Sequence, residues 1–395
     1  MTTAVLEAPA APEAPAVRVT TTISADEWDS YVRGHPAATR YHPWAWREIF
    51  ERAFHHETIY LAACRQAGPT APTPPVAGQR FSVAESGSCP TTPVVGQRFS
   101  VAERDSSPIV GVLPLVAFRS LLFGRFLVSL PFVNYGGVLA DDGEAARALL
   151  GAASEEGRRR QVRHIELRHT VRTFPELPAK QHKVAMTLPL PADADTAWKG
   201  FDNKLRNQIR KAQKGDLEVL CGGAELVDDF YVVFARNMRD LGTPVYSKRL
   251  FSEVLTRVPE TRVFIVLLAG RPVAAGITIG YRGAVENPWA SSLREHRSLN
   301  PNMLLYWTMI QDAIARGYKV FDFGRSSPNE GTYNFKKQWG AIESPFYWEY
   351  VLRNEAPLPD QSPKSTKFSL AVSAWQRLPL TLTNLLGPPV VRNIP

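Results

Sequence analysis

The residues best suited to chemistry gather between Val320 and Gly340. Asp322 is followed by Gly324, Arg325, Ser326 and Ser327, then by Tyr333, Lys336, Lys337 and Trp339. Phe321 and Phe323 alternate with Val320 and Asp322, which predicts a strand carrying Asp322 away from its phenylalanine face just before a turn. Ligand sites of α/β folds lie at the carboxyl ends of strands, so this turn and the polar loop after it form a candidate substrate site. The competing reading is a structural loop whose lysine stems cover apolar surface. A second cationic set, Lys199, Lys204, Arg206, Arg210, Lys211 and Lys214, lies in WKGFDNKLRNQIRKAQKGDLEV. At helical spacing Arg206 and Arg210 share one face while Leu205 and Ile209 define the buried one. Paired guanidinium groups suit phosphate or tRNA; a solvated helix is the alternative, and the run lacks the aromatic interleaving of sequence-specific nucleic-acid readers.

The elements around these residues repeat in two blocks. In the second, a basic helix over 202–214 leads to a strand at 217–221, a helix at 224–241, hairpin strands at 261–269 and 271–281, a helix at 301–316 and a strand at 320–323. Asn300 and Pro301 supply a cap and a first-turn proline, and Gly317 stops the helix. The first block, from about Val17 to Leu190, opens with two helices at 25–34 and 43–53. Two hairpins follow, then a helix at 143–160 and a strand at 164–167. The order predicts α/β (α+β) architecture with two domains, 18–190 and 191–353, each a mixed, largely antiparallel twisted sheet flanked by helices.

The chain has 395 residues, of which 44% are hydrophobic and 21% charged, enough for two globular domains. Its 32 prolines concentrate in the leader (1–17), between 69 and 108, and in a tail over 354–395. Residues 75–86 return as 93–104, and two copies are too few for a repeat architecture, so 65–107 reads as a duplicated loop insertion that splits the first hairpin. The tail spaces Phe368, Val372, Trp375 and Leu378 for an amphipathic helix ending at Pro379, either packed on the body or docked through 364–386 on a membrane surface or a partner. Three scattered cysteines and eight scattered histidines make neither a disulfide framework nor a metal spacing, which suits the cytoplasm. The net charge of +8 favours anionic partners. The acidic, proline-containing start is unlike a signal peptide. Arg119 and Arg125 interrupt the longest apolar stretch, which argues against a membrane span. A Gly-x-Ser-x-Gly elbow and a Walker A loop are both missing.

FDFGRSSPNEGTYNFKKQWGA, PNMLLYW, FGRFLVSLPFVNYGGVLADD and RNMRDLGTPVYSKRLF together resemble the FemAB-type branch of the GNAT-fold acyltransferases. They are most similar to the FemAB-like proteins associated with PEP-CTERM/exosortase exopolysaccharide systems. The resemblance covers about Ala25 to Arg353 apart from the insertion, and it implies tandem GNAT-like domains. Relatives transfer an amino acid from aminoacyl-tRNA to the amine of a peptidoglycan precursor. The implied donor is therefore aminoacyl-tRNA or acyl-CoA, with no resident cofactor and no metal. The acetyl-CoA turn Q/R-x-x-G-x-G/A is missing from the second block, which weighs against CoA. The implied acceptor is an anionic envelope or exopolysaccharide precursor, placing the protein in the cytoplasm or peripherally at the inner membrane. The family's FK-x-x-aromatic-G motif falls on Phe335, Lys336, Trp339 and Gly340, which makes Lys336 the catalyst that stabilises charge on the reacting carbonyl. Asp322 is the candidate proton acceptor, against substrate-assisted or water-mediated transfer. The R-x-x-I-x-x-A pattern falls on Arg206, Ile209 and Ala212 and implies phosphate binding at Arg206, joined by Arg210. Further candidate substrate contacts are Trp289, Asn302, Tyr306, Arg325, Ser326, Tyr333, Lys337 and Trp339. Arg325 stands where relatives often carry a second glycine, and the phosphate-binding lysine of some relatives has no match after Trp44-Ala45-Trp46. A non-catalytic scaffold of an envelope-assembly complex and a nucleic-acid binder are the readings from other classes.

Overall fold

The computed structural model describes residues 16–66, 107–120, 123–353, 357–359 and 366–394. The duplicated segment 75–104 and nearly all of the leader lie outside these residues. The first half of the chain forms β1 (Val17–Thr20), α1 (Ala25–Gly34), α2 (Ala45–Phe54), β2 (Glu57–Arg65), β3 (Ile109–Ser120), β4 (Gly124–Val128), β5 (Leu139–Ala140), α3 (Gly143–Arg159), β6 (His164–His169) and β7 (Ala179–Lys180). Then come β8 (Val184–Pro189), α4 (Ala194–Gly200), α5 (Asn203–Lys214), β9 (Leu217–Gly222), α6 (Val227–Leu241), α7 (Lys248–Arg257), β10 (Thr261–Leu268), β11 (Arg271–Tyr281) and β12 (Ala284–Ser292). The last elements are α8 (Pro301–Ala315), β13 (Val320–Ser326), α9 (Gly331–Lys337), β14 (Ile342–Pro345), β15 (Tyr347–Leu352), α10 (Thr366–Arg377) and α11 (Leu380–Val391).

Among the described residues the strands form two sheets, in the orders β1-β2-β3-β4-β6-β15-β7, with β5 on β3, and β14-β8-β13-β12-β11-β10-β9. The hairpin across the insertion closes as expected, with Glu57 opposite Ala117 and Cys64 opposite Ile109. Each sheet contains one parallel pair, β4 with β6 and β12 with β13. A parallel pair needs a crossover connection, which α3 and α8 supply. This is the tandem GNAT-like arrangement of two mixed, largely antiparallel sheets. The sheets do not divide at residue 190, however. β8 pairs with β13 and β14 in the second sheet, and β15 returns to pair with β6 and β7 in the first. The exchange covers strand edges that each sheet would otherwise leave open.

One core cluster joins the halves, with Trp46, Phe50 and Phe126 from the first packed with Phe230, Phe251 and Ile277 from the second. Burying each such aromatic side chain contributes roughly 1.5–3 kcal/mol, so the two sheets hold each other as well as their own helices. A second cluster lies between α4, α5, α8 and the face of β13 that carries Phe321 and Phe323, as their alternation predicted.

Local features also differ from what the sequence predicts, α4 among them. α7 was not foreseen, although Leu250, Phe251 and Val254 give it a buried stripe. Asn300 precedes α8 in the left-handed region (φ 56°) without a side-chain cap; its amide donates to Gln208 O at 3.5 Å instead. The expected loop over 331–337 is the short helix α9, because Phe335 and Trp339 pack inward one turn apart, 6.3 Å between ring centres. The tail forms α11 beyond α10, with Pro388 and Pro389 inside it. Gly387 fits α11 against Val245, where an added Cβ would come within 2.8 Å. Leu382, Leu385, Leu386 and Val390 face outward. No helix among the described residues is long and apolar enough to cross a membrane.

Candidate active site

The parallel pairing of β12 with β13 runs from Ala284–Val320 to Glu286–Asp322 and stops there, so two carboxylates occupy the last paired position before the strands part. Both are buried, Glu286 at 0% and Asp322 at 6% exposure. The next residue, Asn287, is bound on the β11 side instead, its amide donating to Ile277 O at 2.7 Å and to Trp289 O of its own strand at 3.0 Å.

Glu286 belongs to the second half of the chain, but its hydrogen-bond donors come from the first. Tyr41 Oη donates to Oε1 at 2.8 Å, Tyr135 Oη donates to Oε2 at 3.0 Å, and Asn134 Nδ2 also donates to Oε1. Arg40 Nε lies 3.0 Å from Oε2. Burial, and then the Glu286 charge, hold both phenols well above their ordinary pKa, so they remain donors. The segment that brings Asn134 and Tyr135 here is strained, with Leu130 and Phe132 at φ 54° and 67°. It is anchored by Val138 N–H donating to His169 Nε2 at 2.9 Å, while His169 Nδ1 meets Glu349 Oε2 at 2.6 Å. Gly137 has to be small here, since an added Cβ would come 2.0 Å from the His169 ring.

Asp322 accepts the N–H of Gly324 at 2.8 Å. Gly324 adopts φ +71°, and an added Cβ would lie 3.0 Å from Asn134 Nδ2; this bend presents two successive carbonyls to α9. Lys336 Nζ donates to Gly324 O at 3.2 Å and to Arg325 O at 2.9 Å. An ammonium has three donors, and the third has no protein acceptor among the described residues. Burial, followed by the neighbouring Glu286 charge, pushes the Asp322 carboxyl up to about 7. Burial also pushes the Lys336 ammonium down to about 8, opposed by Asp322 and Glu286. The arrangement thus offers a desolvated cation with a free donor beside a carboxyl group that can exchange a proton near neutral pH.

The other expected site residues fall into five groups. Arg325 and Ser326 end β13 beside Lys336. Tyr333 and Lys337 lie on the outer side of α9, where Tyr333 donates to Glu343 and the Lys337 ammonium sits 5.7 Å from the Tyr333 ring centre. Trp289, Tyr306 and Trp339 are packed as core: Trp289 against Phe251, Tyr306 against Phe323, and Trp339, 1% exposed, against Phe201. Asn302 is half-buried in the first turn of α8. On α5, Arg206 Nη2 lies 2.6 Å from Asn203 Oδ1 while its buried Nε has no partner, and the Arg210 guanidinium lies 5.3 Å from the Trp198 ring centre. Arg40, Tyr41, Asn134, Tyr135 and Glu286 were not singled out from the sequence. The one available signal was Glu286 itself, an acid that follows Ala284 and Val285 within a strand.

Residues 199–337 match the family described as Acetyltransferase (GNAT) domain. Fold and matched domain together define an acyltransferase. Among solved structures, FemX aligns with a TM-score of 0.57 at 14% identity, over 86% of this chain and 98% of that one. A tandem GNAT protein from the clavulanic acid biosynthesis pathway aligns at 0.46 and 11% identity, over 85% and 94% of the two chains. L-PGS from Bacillus licheniformis aligns at 0.45 and 12%, over 68% and 87%. No curated protein matches the chain in sequence.

Proposed function

We propose that this acyltransferase moves an aminoacyl or related acyl group onto an amine of a cell-envelope or exopolysaccharide precursor, with Lys336 as the electrostatic catalyst. The observation that carries the reading is the buried Lys336 ammonium, fixed by two backbone carbonyls and keeping one N–H unspent. In aminolysis the amine lone pair attacks the donor carbonyl carbon, and the C–O or C–S bond to the leaving group breaks. The carbonyl oxygen carries negative charge in between. A fixed cation beside that oxygen stabilises the intermediate without reorganising. Asp322 takes the proton the amine loses and passes it to the departing oxygen or sulfur, so the carboxylate is restored at the end of the turnover.

The same assignments set a pH profile. Asp322 acts as a base only when deprotonated, so kcat/KM rises through about pH 7. Lys336 acts only when protonated, so kcat/KM falls again through about pH 8. A narrow bell is expected, and Asp322→Asn should abolish its acidic limb. An Asp322→Asn enzyme that keeps both the limb and the rate would remove the proton-acceptor role. For the acceptor class, mass spectrometry of envelope glycans and their precursors in cells with and without the gene should show a species heavier by one acyl group only when the gene is present. Identical profiles would exclude an envelope or exopolysaccharide acceptor.

The FemAB-type resemblance favours aminoacyl-tRNA as donor. The alternative donor, acyl-CoA, is favoured by the match to an acetyltransferase domain, against the missing acetyl-CoA turn.

A further inference from the structure

A second cationic cluster lies where β6, β15, the start of β8 and the end of β13 meet. Arg168, 0% exposed, donates through Nε to Glu166 Oε1 at 2.7 Å and through Nη1 to Val133 O at 3.2 Å, while its buried Nη2 has no acceptor. Its guanidinium carbon stands 4.3 Å from the Trp348 ring centre, and that of Arg325 stands 5.7 Å from the same ring. No carboxylate among the described residues lies within ion-pair distance of Arg325. Lys183 Nζ reaches Ser327 Oγ at 2.6 Å. Trp348 Nε1 is a further buried polar atom without a partner.

The nearby acids do not balance this charge. Glu166 is shared between Arg168 and the Tyr350 hydroxyl, which donates to it at 2.9 Å, and Glu330 acts on Lys183 from an exposed position. Burial, then Arg168, pushes the Arg325 guanidinium below its ordinary pKa; burial, then Arg325, does the same to Lys183. Burying cations without counter-charge is costly, and an incoming anion would relieve that cost. Arg325 and Lys183 are only half-buried, so an anion can reach them from solvent.

We propose that Arg168, Arg325 and Lys183, with the Trp348 indole N–H, form a receptor for a phosphoryl group of a substrate. A phosphate monoester brings up to two charges and three acceptor oxygens, which suits this number of donors better than a carboxylate does. The Arg325 carbonyl also holds Lys336, so the bound phosphoryl group anchors its substrate next to the candidate catalyst. The assignment of that ligand as substrate rests on the acyltransferase reading; the binding itself does not. It moves the anion contact from α5, where Arg206 and Arg210 were expected to provide it, to the seam between the sheets.

The test is titration calorimetry of the full chain at low ionic strength with inorganic phosphate, and with succinate as the carboxylate probe. Saturable phosphate binding is expected, weakened about tenfold or more in Arg325→Gln and in Lys183→Gln, the loss typical of a charge-assisted hydrogen bond. Arg206→Gln should leave it within about twofold. Should Arg325→Gln fail to fold, Lys183→Gln, a half-exposed change, carries the comparison. No saturable phosphate binding, binding lost in Arg206→Gln but kept in Arg325→Gln, or tighter binding of succinate than phosphate would each overturn the proposal. Because no turnover is measured, phosphate binding by a protein without transferase activity would leave this site standing and remove the function instead.

Discussion

Lys336→Ala is expected to lower kcat by about 10²–10³, the effect of deleting one fixed donor to a developing oxyanion, with a much smaller change in KM. The split follows from the geometry. The Lys336 ammonium is held by main-chain carbonyls of Gly324 and Arg325, so its remaining donor is already in place before substrate arrives. Losing a group that binds the ground state and the transition state equally would raise KM and leave kcat alone. Lys336→Arg should not restore the rate, because a planar guanidinium cannot occupy the space of an ammonium seated between two successive carbonyls. Folding of the variant is checked by circular dichroism, since Lys336 is only 7% exposed and its loss also vacates two carbonyl groups.

Glu286→Ala is expected to destabilise the protein by about 3–5 kcal/mol, the range for removing one partner of a buried ion pair. It strands the buried Arg40 guanidinium and deprives Tyr41, Tyr135 and Asn134 of their common acceptor. Those donors come from the first half of the chain and the acceptor from the second, so the loss falls on the contact between the halves. Urea unfolding should show it as a lower midpoint. Glu286→Gln keeps the shape and removes the charge. Because the Glu286 charge helps raise the Asp322 carboxyl, the acidic limb of the pH profile should shift downward in that variant. An unchanged limb together with unchanged stability would mean that Glu286 neither clamps the halves nor tunes Asp322.

Much of this site was legible in the sequence where periodicity or a motif spoke for it. Alternation around Phe321 and Phe323 gave the strand and the direction of Asp322, and the FK-x-x-aromatic-G pattern gave Lys336. Trp289, Tyr306 and Trp339 could not be sorted in the same way, because a large aromatic residue serves a core as readily as a binding face, and packing decided for the core. The Glu286 clamp was hidden for a different reason. Arg40 and Tyr41 sit in a turn, Asn134 and Tyr135 in a stretch of irregular backbone, and their partner lies more than a hundred residues away. No local pattern encodes such a meeting. The exchange of β8 and β15 between the sheets is equally long-range: each strand looks ordinary in sequence, and only the open edge it covers determines its sheet.

The central claim is that Lys336 promotes amide formation, and the most direct measurement is mass spectrometry of an envelope or exopolysaccharide precursor extract incubated with purified protein and either aminoacyl-tRNA or acyl-CoA. The predicted result is a product heavier than its acceptor by one acyl group, formed with one of the two donors and at least a hundredfold slower, on the order set by oxyanion stabilisation, with Lys336→Ala. No product with either donor, or product formed as fast by the folded Lys336→Ala protein, would contradict it.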